Sequence, residues 1–90
     1  MTPVFWYVYI IRAENGRLYT GIALDPDVRF EHHRNGTGAK FFSFSPPEEV
    51  VYREEHPNRS EAQKRELKIK GMTRIAKLAL IEEYRRGFNG

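Results

Sequence analysis

Two apolar runs near the start of the chain have the composition of β-strands. Residues 6–11 and 18–22 are both rich in β-branched and aromatic residues, and the turn-forming pair Asn15-Gly16 lies between them. Such runs, separated by a short turn of this kind, are typical of a β-hairpin. We therefore predict that two antiparallel strands form near the start of the chain.

The length of the hairpin loop decides which faces Tyr9 and Tyr19 occupy. A two-residue turn at Asn15-Gly16 would pair Arg12 with Tyr19. The two tyrosines would then lie on opposite faces, because side chains alternate along a strand. A three-residue loop, with its glycine left-handed in a G1 bulge, would pair Ile11 with Tyr19 and place both hydroxyls on one face. We predict this second register.

Further along, the polar and apolar pattern predicts a helix and a third strand. The helix should begin at Asp25-Pro26, since aspartate caps helices and proline suits the first helical position. It should end at about Arg34, where Asn35-Gly36 supplies a left-handed stop. Residues 37–40 are predicted to form a small, flexible segment. Residues 49–54 favour a strand beside the hairpin.

The last third of the chain predicts two helices. Ser60 should cap the first of them, with Gln63 completing a capping box, and this helix should end near Gly71. Thr73 should cap the second helix, and residues 85–90 should form a frayed tail. The order strand, strand, helix, strand, helix, helix predicts an α+β domain with a small, three-stranded, mostly antiparallel sheet flanked by helices.

The composition limits the class of protein. Ninety residues, 40% of them hydrophobic, suffice for a single domain, which we place at residues 1–90 with a core at about 5–84. The absence of cysteine excludes disulfides and cysteine-based zinc sites. No secretion signal is evident, and no apolar run approaches the ~18 residues of a membrane helix. We therefore expect a soluble, cytoplasmic protein with no membrane partner.

The net charge of +3 is a mild basic excess that somewhat favours nucleic acid as a partner. Basic residues outnumber acidic ones between Arg59 and Lys77, where only Glu61 and Glu66 are acidic. A solvated helical face explains most of these charges. Charge alone therefore does not identify a binding surface.

The two tyrosine motifs, Tyr7-Val8-Tyr9 and Tyr19-Thr20-Gly21, resemble those of the GIY-YIG endonuclease domain, and the rest of the chain extends the resemblance. In the stand-alone, single-domain branch of that family, an arginine on the first helix is followed one turn later by a histidine and then by Gly-x-Gly-Ala-Lys. A glutamate, a Lys-Gly pair, an arginine and a lysine come later. The matching positions here are Arg29, His33, residues 36–40, Glu66, Lys70-Gly71, Arg74 and Lys77.

The resemblance implies an enzyme, namely a metal-dependent endonuclease that hydrolyses phosphodiester bonds in DNA and acts in DNA repair or processing. It implies no organic cofactor. A single Mg²⁺ or Mn²⁺ ion would be held by Glu66, because a hard cation that keeps most of its waters can be bound by one carboxylate. The implied catalytic residues are Tyr9, Tyr19, Arg29, His33 and Glu66. The candidate nucleic-acid contacts are Lys40, Lys70 and Arg74, although Lys40 could equally be a solvated lysine.

The chemistry of phosphodiester hydrolysis suggests a role for each residue. Arg29 would bind the scissile phosphate, since a guanidinium matches two phosphate oxygens. The resemblance implies that one tyrosine is the general base and that the other positions water or phosphate. We place Tyr9 first as the base, and both hydroxyls must then lie on one face. A free phenol has a pKa of ~10, so Arg29 and the metal would have to lower it. His33, with a near-neutral pKa, is an alternative base or a phosphate ligand. Gly21 would let substrate or Arg29 approach the strand.

Ordinary structural explanations remain open for the same residues. Glu66 could be an exposed helix glutamate, and Arg29 could form a surface ion pair with Asp25 or Glu31. The tyrosines could be half-buried strand aromatics, and His33 a solvated histidine near a helix end. Two other functions also fit the sequence. One is a nucleic-acid-binding module with this fold but little cleavage activity, and the other is a structural or protein-interaction domain.

Overall fold

A computed structural model describes residues 4–89, and its three strands form one antiparallel sheet. Strand β1 spans Trp6–Ala13, β2 spans Leu18–Ala23 and β3 spans Pro47–His56. The strand order is β2-β1-β3, so β1 is central and pairs with both neighbours. Residues 1–3 and Gly90, which the predicted domain includes, lie outside the described residues.

The hairpin has the register predicted for a three-residue loop. Ile11 pairs with Tyr19, and Tyr9 pairs with Gly21. Gly16 has a φ of 87°, in the left-handed region that a G1 bulge requires and glycine tolerates. Tyr9 and Tyr19 therefore lie on the same face of the sheet.

Three α-helices follow the predicted order and confirm the α+β fold. Helix α1 spans Pro26–Arg34, α2 spans Arg59–Lys70 and α3 spans Arg74–Asn89. A short 3₁₀ helix at Lys40–Ser43, which was not predicted, lies between α1 and β3. No helix among the described residues is long and apolar enough to cross a membrane.

The helix caps agree with the prediction at α1 and α3 but not at α2. Asp25 caps α1, and the Thr73 hydroxyl accepts an N–H from the first turn of α3. Asn58, not Ser60, caps α2, because asparagine caps as well as serine and comes two residues earlier. The prediction of a frayed tail at residues 85–90 was wrong for residues 85–89, because α3 extends to Asn89.

Helices and loops cover both faces of the sheet, so β1 is buried on both sides. Val8 and Ile10 face α2 and α3, where they pack with Ala62, Ile69 and Ile81. On the other face, the cluster comprises Tyr9, Ile11, Ala13, Ala23 and Phe42, with Tyr19, Phe30, Ala39, Phe41 and Val50 packed against it. This two-sided burial explains why β1 is an uninterrupted apolar run.

Candidate functional site

Tyr9 lies on the central strand with its ring against the neighbouring strand. The residue is 1% exposed. A Cβ atom on its ladder partner Gly21 would lie 2.6 Å from the Tyr9 hydroxyl oxygen and 2.8 Å from Cζ. Both distances are too short for such atoms, so a side chain at Gly21 would displace the phenol. The absence of a side chain at Gly21 leaves space for the Tyr9 ring. The sequence analysis predicted that this space would admit substrate or Arg29.

His33 connects α1 to Tyr9, and its hydrogen bonds define its tautomer. The backbone N–H of Ala39 donates to Nδ1 at 3.0 Å, so Nδ1 carries no proton. The neutral ring therefore carries its proton on Nε2, which lies 3.0 Å from the Tyr9 hydroxyl oxygen and donates to it. A general base needs a free nitrogen lone pair, and neither ring nitrogen of His33 offers one in this arrangement.

The pKa of His33 follows from the same surroundings. Burial is the main cause that lowers this pKa to about 4 from its usual 6.5, and the positive charges of Arg29 and His32 lower it further. The residue is 2% exposed, so it is not a solvated histidine. The near-neutral pKa expected from the sequence is therefore wrong. His33 is a neutral hydrogen-bond donor at physiological pH.

The loop after α1 folds back over the ring of His33. Gly36 has a φ of 82°, which reverses the chain at the end of the helix. A Cβ on Gly38 would lie 2.2 Å from His33 Nδ1 and 2.9 Å from its Cα. The segment predicted to be flexible is thus packed tightly on the histidine. Gly38 and Ala39 are positioning residues that the sequence interpretation missed, although their spacing after His33 was an available signal.

Arg29 lies beside the Tyr9 phenol. Burial is the main cause that raises the pKa of Tyr9 to about 12, and the nearby Tyr19 adds to it. Arg29 opposes this increase through both hydrogen bonding and charge. The guanidinium therefore favours the phenolate, as does the N–H that His33 donates.

The alternative of a surface ion pair for Arg29 is not what the structure shows. The Asp25 side chain accepts backbone N–H groups as the cap of α1, and Glu31 pairs with Arg34 at 3.4 Å. Among residues 4–89, no ion pair joins Arg29 to a carboxylate within 4.0 Å. Its charge is therefore available to an anion.

Tyr19 lies beside Tyr9 and His33 and is surrounded by aromatic rings. Its ring centroid lies 6.3 Å from that of Tyr9 and 5.2 Å from that of His33. Phe41 and Phe42, on the 3₁₀ helix, pack against Tyr19 at 5.3 Å and 5.2 Å. These rings fix the position of Tyr19.

Glu66 lies on α2, in the layer on the other side of the sheet from the phenols. Helix α2 packs on the opposite face of the sheet and contacts β2 at its edge. The negative charge of Glu66 contributes to the raised pKa of Tyr9, so the carboxylate lies within electrostatic reach of that hydroxyl. Its side chain is 17% exposed and pairs with Lys70 at 3.3 Å. Glu66 is therefore not a freely solvated helix residue.

The predicted nucleic-acid contacts have different surroundings. Lys70 is engaged by Glu66. Lys40 begins the 3₁₀ helix with its side chain exposed. Arg74 donates to the Gly16 carbonyl at 3.1 Å and lines a groove near Tyr19. Within residues 4–89, no group of three or more His, Asp or Glu side chains could bind a metal.

Comparisons with known proteins relate the chain to a domain family. Residues 5–79 match the family model of the GIY-YIG catalytic domain. UPF0213 proteins of Staphylococcus epidermidis and Staphylococcus aureus are each 47% identical to the chain over 77 residues, which are 86% of this chain and 94% of theirs. The solution NMR structure of a UPF0213 protein from Bacillus halodurans has a TM-score of 0.56 and 33% identity, covering 87% of this chain and 83% of that one.

Proposed function

The chain belongs to the GIY-YIG catalytic domain family, a family of nuclease-like domains, and on that premise we propose that it is an endonuclease that hydrolyses phosphodiester bonds in DNA. One observation carries the proposal. The hydroxyl of Tyr9 accepts a hydrogen bond from His33, while the charges of Arg29 and Glu66 act on the same group. Three of the other predicted catalytic residues, Arg29, His33 and Glu66, thus act on the Tyr9 hydroxyl by hydrogen bonding or charge.

Tyr9 is the general base in this proposal. Its phenolate would take a proton from the attacking water, while the N–H of His33 and the guanidinium of Arg29 stabilise the negative oxygen. Because burial holds its pKa at about 12, only a small fraction is phenolate near neutral pH. The cleavage rate should therefore rise with pH throughout the neutral range, about tenfold per unit.

Arg29 and Tyr19 would bind the phosphate. A guanidinium presents parallel N–H donors to two phosphate oxygens, and charge developing there in the transition state strengthens both hydrogen bonds. Tyr19 shares a face with Tyr9, so its hydroxyl can donate to the same phosphate or to the attacking water. His33 acts through Tyr9 and is a positioning residue.

Glu66 would hold a single Mg²⁺ or Mn²⁺ ion. The donors available near Tyr9 are oxygen atoms, namely a carboxylate and two phenols, and Mg²⁺ prefers oxygen ligands. One carboxylate suffices, since Mg²⁺ keeps several waters, and Lys70 would have to release Glu66. When bound, the ion would neutralise charge on the phosphate and lower the pKa of a coordinated water.

The alternative function is a nucleic-acid-binding module without cleavage, and two observations favour it. Tyr9 is 1% exposed, and its pKa is about 12, which is far from that of an efficient base. Glu66 is already paired with Lys70. A module of this kind would still bind phosphates through Arg29, with affinity that falls as salt increases.

A plasmid-nicking assay with Mg²⁺ or Mn²⁺ distinguishes the two functions. Glu66→Ala and Arg29→Ala should each abolish metal-dependent nicking. The matched controls Glu82→Ala and Arg34→Ala remove exposed, ion-paired side chains elsewhere and should leave nicking unchanged. No nicking by the native chain, together with salt-sensitive DNA binding that Glu66→Ala does not alter, would favour the binding module.

A further inference from the structure

A groove of about 200 Å³ borders the candidate site beyond Tyr19. It is lined by Arg17, Leu18, Phe41, Arg74 and Lys77. Leu18 directly precedes Tyr19 on β2, and the Phe41 ring lies 5.3 Å from the Tyr19 ring. The groove therefore continues from the site along the same edge of the sheet.

The groove is positively charged, and its charges are not neutralised. Three of its five lining residues are cationic and none is acidic. Among the described residues, Arg17 and Lys77 form no ion pair. Arg74 donates to a neutral backbone carbonyl, so its charge also remains available. Such a groove attracts polyanions.

The groove also contains a guanidinium over an aromatic ring, a pair that we call the stacking surface. The guanidinium carbon of Arg17 lies 5.4 Å from the centroid of the Phe41 ring. Planar guanidinium and aromatic groups are the surfaces on which unpaired bases stack. Base pairs inside a duplex already stack on one another, so this surface is useful only for a base that has left the helix.

We propose that the groove binds an unpaired nucleotide of the substrate, with its base on the Arg17–Phe41 stacking surface and its phosphates near Arg74 and Lys77. This inference rests on the proposed function, which places the scissile phosphate at Tyr9 and Tyr19. It names the substrate class as nucleic acid with a single-stranded segment beside the cleaved bond. Arg17, Phe41 and Lys77 then determine specificity.

Fluorescence anisotropy with the metal chelated tests the groove without cleavage. The probes are a fluorescein-labelled short oligothymidylate and a labelled duplex of equal length. The native chain should bind the single strand more tightly. Phe41→Leu should weaken that binding by about 5- to 150-fold, the usual effect of losing one stacked base. Arg17→Ala should weaken it by removing part of the stacking surface, and Lys77→Ala should weaken it and reduce the salt slope by about 0.7 per phosphate lost.

Arg86→Ala is the matched control, because Arg86 lies twelve residues beyond Arg74 on α3, about 18 Å away along the helix. It should leave single-strand affinity unchanged. Equal affinity for both probes, or variants at Arg17 and Lys77 that bind like the native chain, would overturn the proposal. Arg17 is exposed, so its variant tests the groove even where Phe41→Leu disturbs packing.

The two proposals fail in different ways. Glu66-dependent nicking, together with groove variants that bind normally, would support the endonuclease and contradict the proposed role of the groove. Weakened single-strand binding in those variants, with no nicking by the native chain, would support the role of the groove and contradict the endonuclease. Cleavage of flapped, branched, single-stranded and duplex DNAs then extends the test, since the groove predicts cleavage beside single-stranded segments.

Discussion

The hydroxyl oxygen of Tyr9 lies 3.0 Å from Nε2 of His33, whose other ring nitrogen accepts the backbone N–H of Ala39. A single hydrogen-bond chain thus connects a loop, a helix and the central strand. Each hydrogen bond in this series is donated in the direction of the phenol oxygen. The histidine is therefore a fixed, neutral donor, and its N–H stabilises the phenolate against the burial that raises the pKa of Tyr9 to about 12.

The lowered pKa of His33 predicts a specific dependence of stability on pH. The unfolded chain takes up this proton near pH 6.5 and the folded chain only near pH 4, so stability falls as pH falls through that window. The shift corresponds to a loss on the order of 3 kcal/mol. His33→Gln should lower stability at neutral pH but show a smaller further loss on acidification, which thermal melts can measure.

His32→Gln is the control for this prediction. His32 is the adjacent histidine and is exposed, so its variant should lose stability on acidification as the native chain does. Each 1 kcal/mol shifts the melting temperature of a domain of this size by about 4–8 °C, which is easily resolved. Parallel acid profiles for native protein and His33→Gln would show that His33 is not the group that titrates.

Gly38 should tolerate no side chain. A methyl group there would meet His33 Nδ1 and its Cα, and the latter cannot move without moving α1. Gly38→Ala should therefore cost about 1–3 kcal/mol of stability and displace the histidine from Tyr9. Denaturant unfolding measures the first effect, and the His33 side-chain signals in an NMR spectrum report the second.

Gly87→Ala provides the opposite case on α3. Nothing lies within 4 Å of a Cβ at that position, so alanine should stabilise the helix by up to about 0.5 kcal/mol. If Gly38→Ala proved as harmless as Gly87→Ala, the loop would not pack on His33 as described.

Thr20 is a site where stability can be gained. Its hydroxyl is buried on the β2 face opposite the tyrosines and has no hydrogen-bond partner among residues 4–89. Thr20→Val keeps the shape and removes the unsatisfied group, so it should add about 1 kcal/mol in denaturant unfolding.

The same substitution at Thr73 should have the opposite sign. Thr73→Val deletes the cap of α3 and should cost about 1 kcal/mol. A loss of stability in Thr20→Val would reveal a partner for that hydroxyl and contradict its assignment as unsatisfied.

Local signals explain how much of the fold the sequence predicted. Asn15-Gly16, Asp25-Pro26 and Asn35-Gly36 act within a few residues, and each gave the observed turn, cap or stop. The α2 cap was misplaced because Asn58 and Ser60 are both competent caps, and local propensity cannot choose between them. The family resemblance, which depends on an ordered set of residues, is confirmed by the match over residues 5–79.

The site was less predictable, because its chemistry depends on tertiary contacts. The sequence placed His33 one turn after Arg29 but could not show that residues 36–39 would bury it and lower its pKa. Lys70, predicted to contact DNA, instead pairs with Glu66 one helical turn earlier, which is a local signal that the prediction did not use. The catalytic roles of these residues stay predictions.

The cleavage rate as a function of pH, measured under single-turnover conditions with Mg²⁺ for the native chain and Tyr9→Phe, tests the central claim most directly. The native rate should rise about tenfold per pH unit through neutrality, and Tyr9→Phe should be at least ~100-fold slower with that dependence lost. A Tyr9→Phe variant that cleaves at the native rate, with the same pH dependence, would show that Tyr9 is not the base.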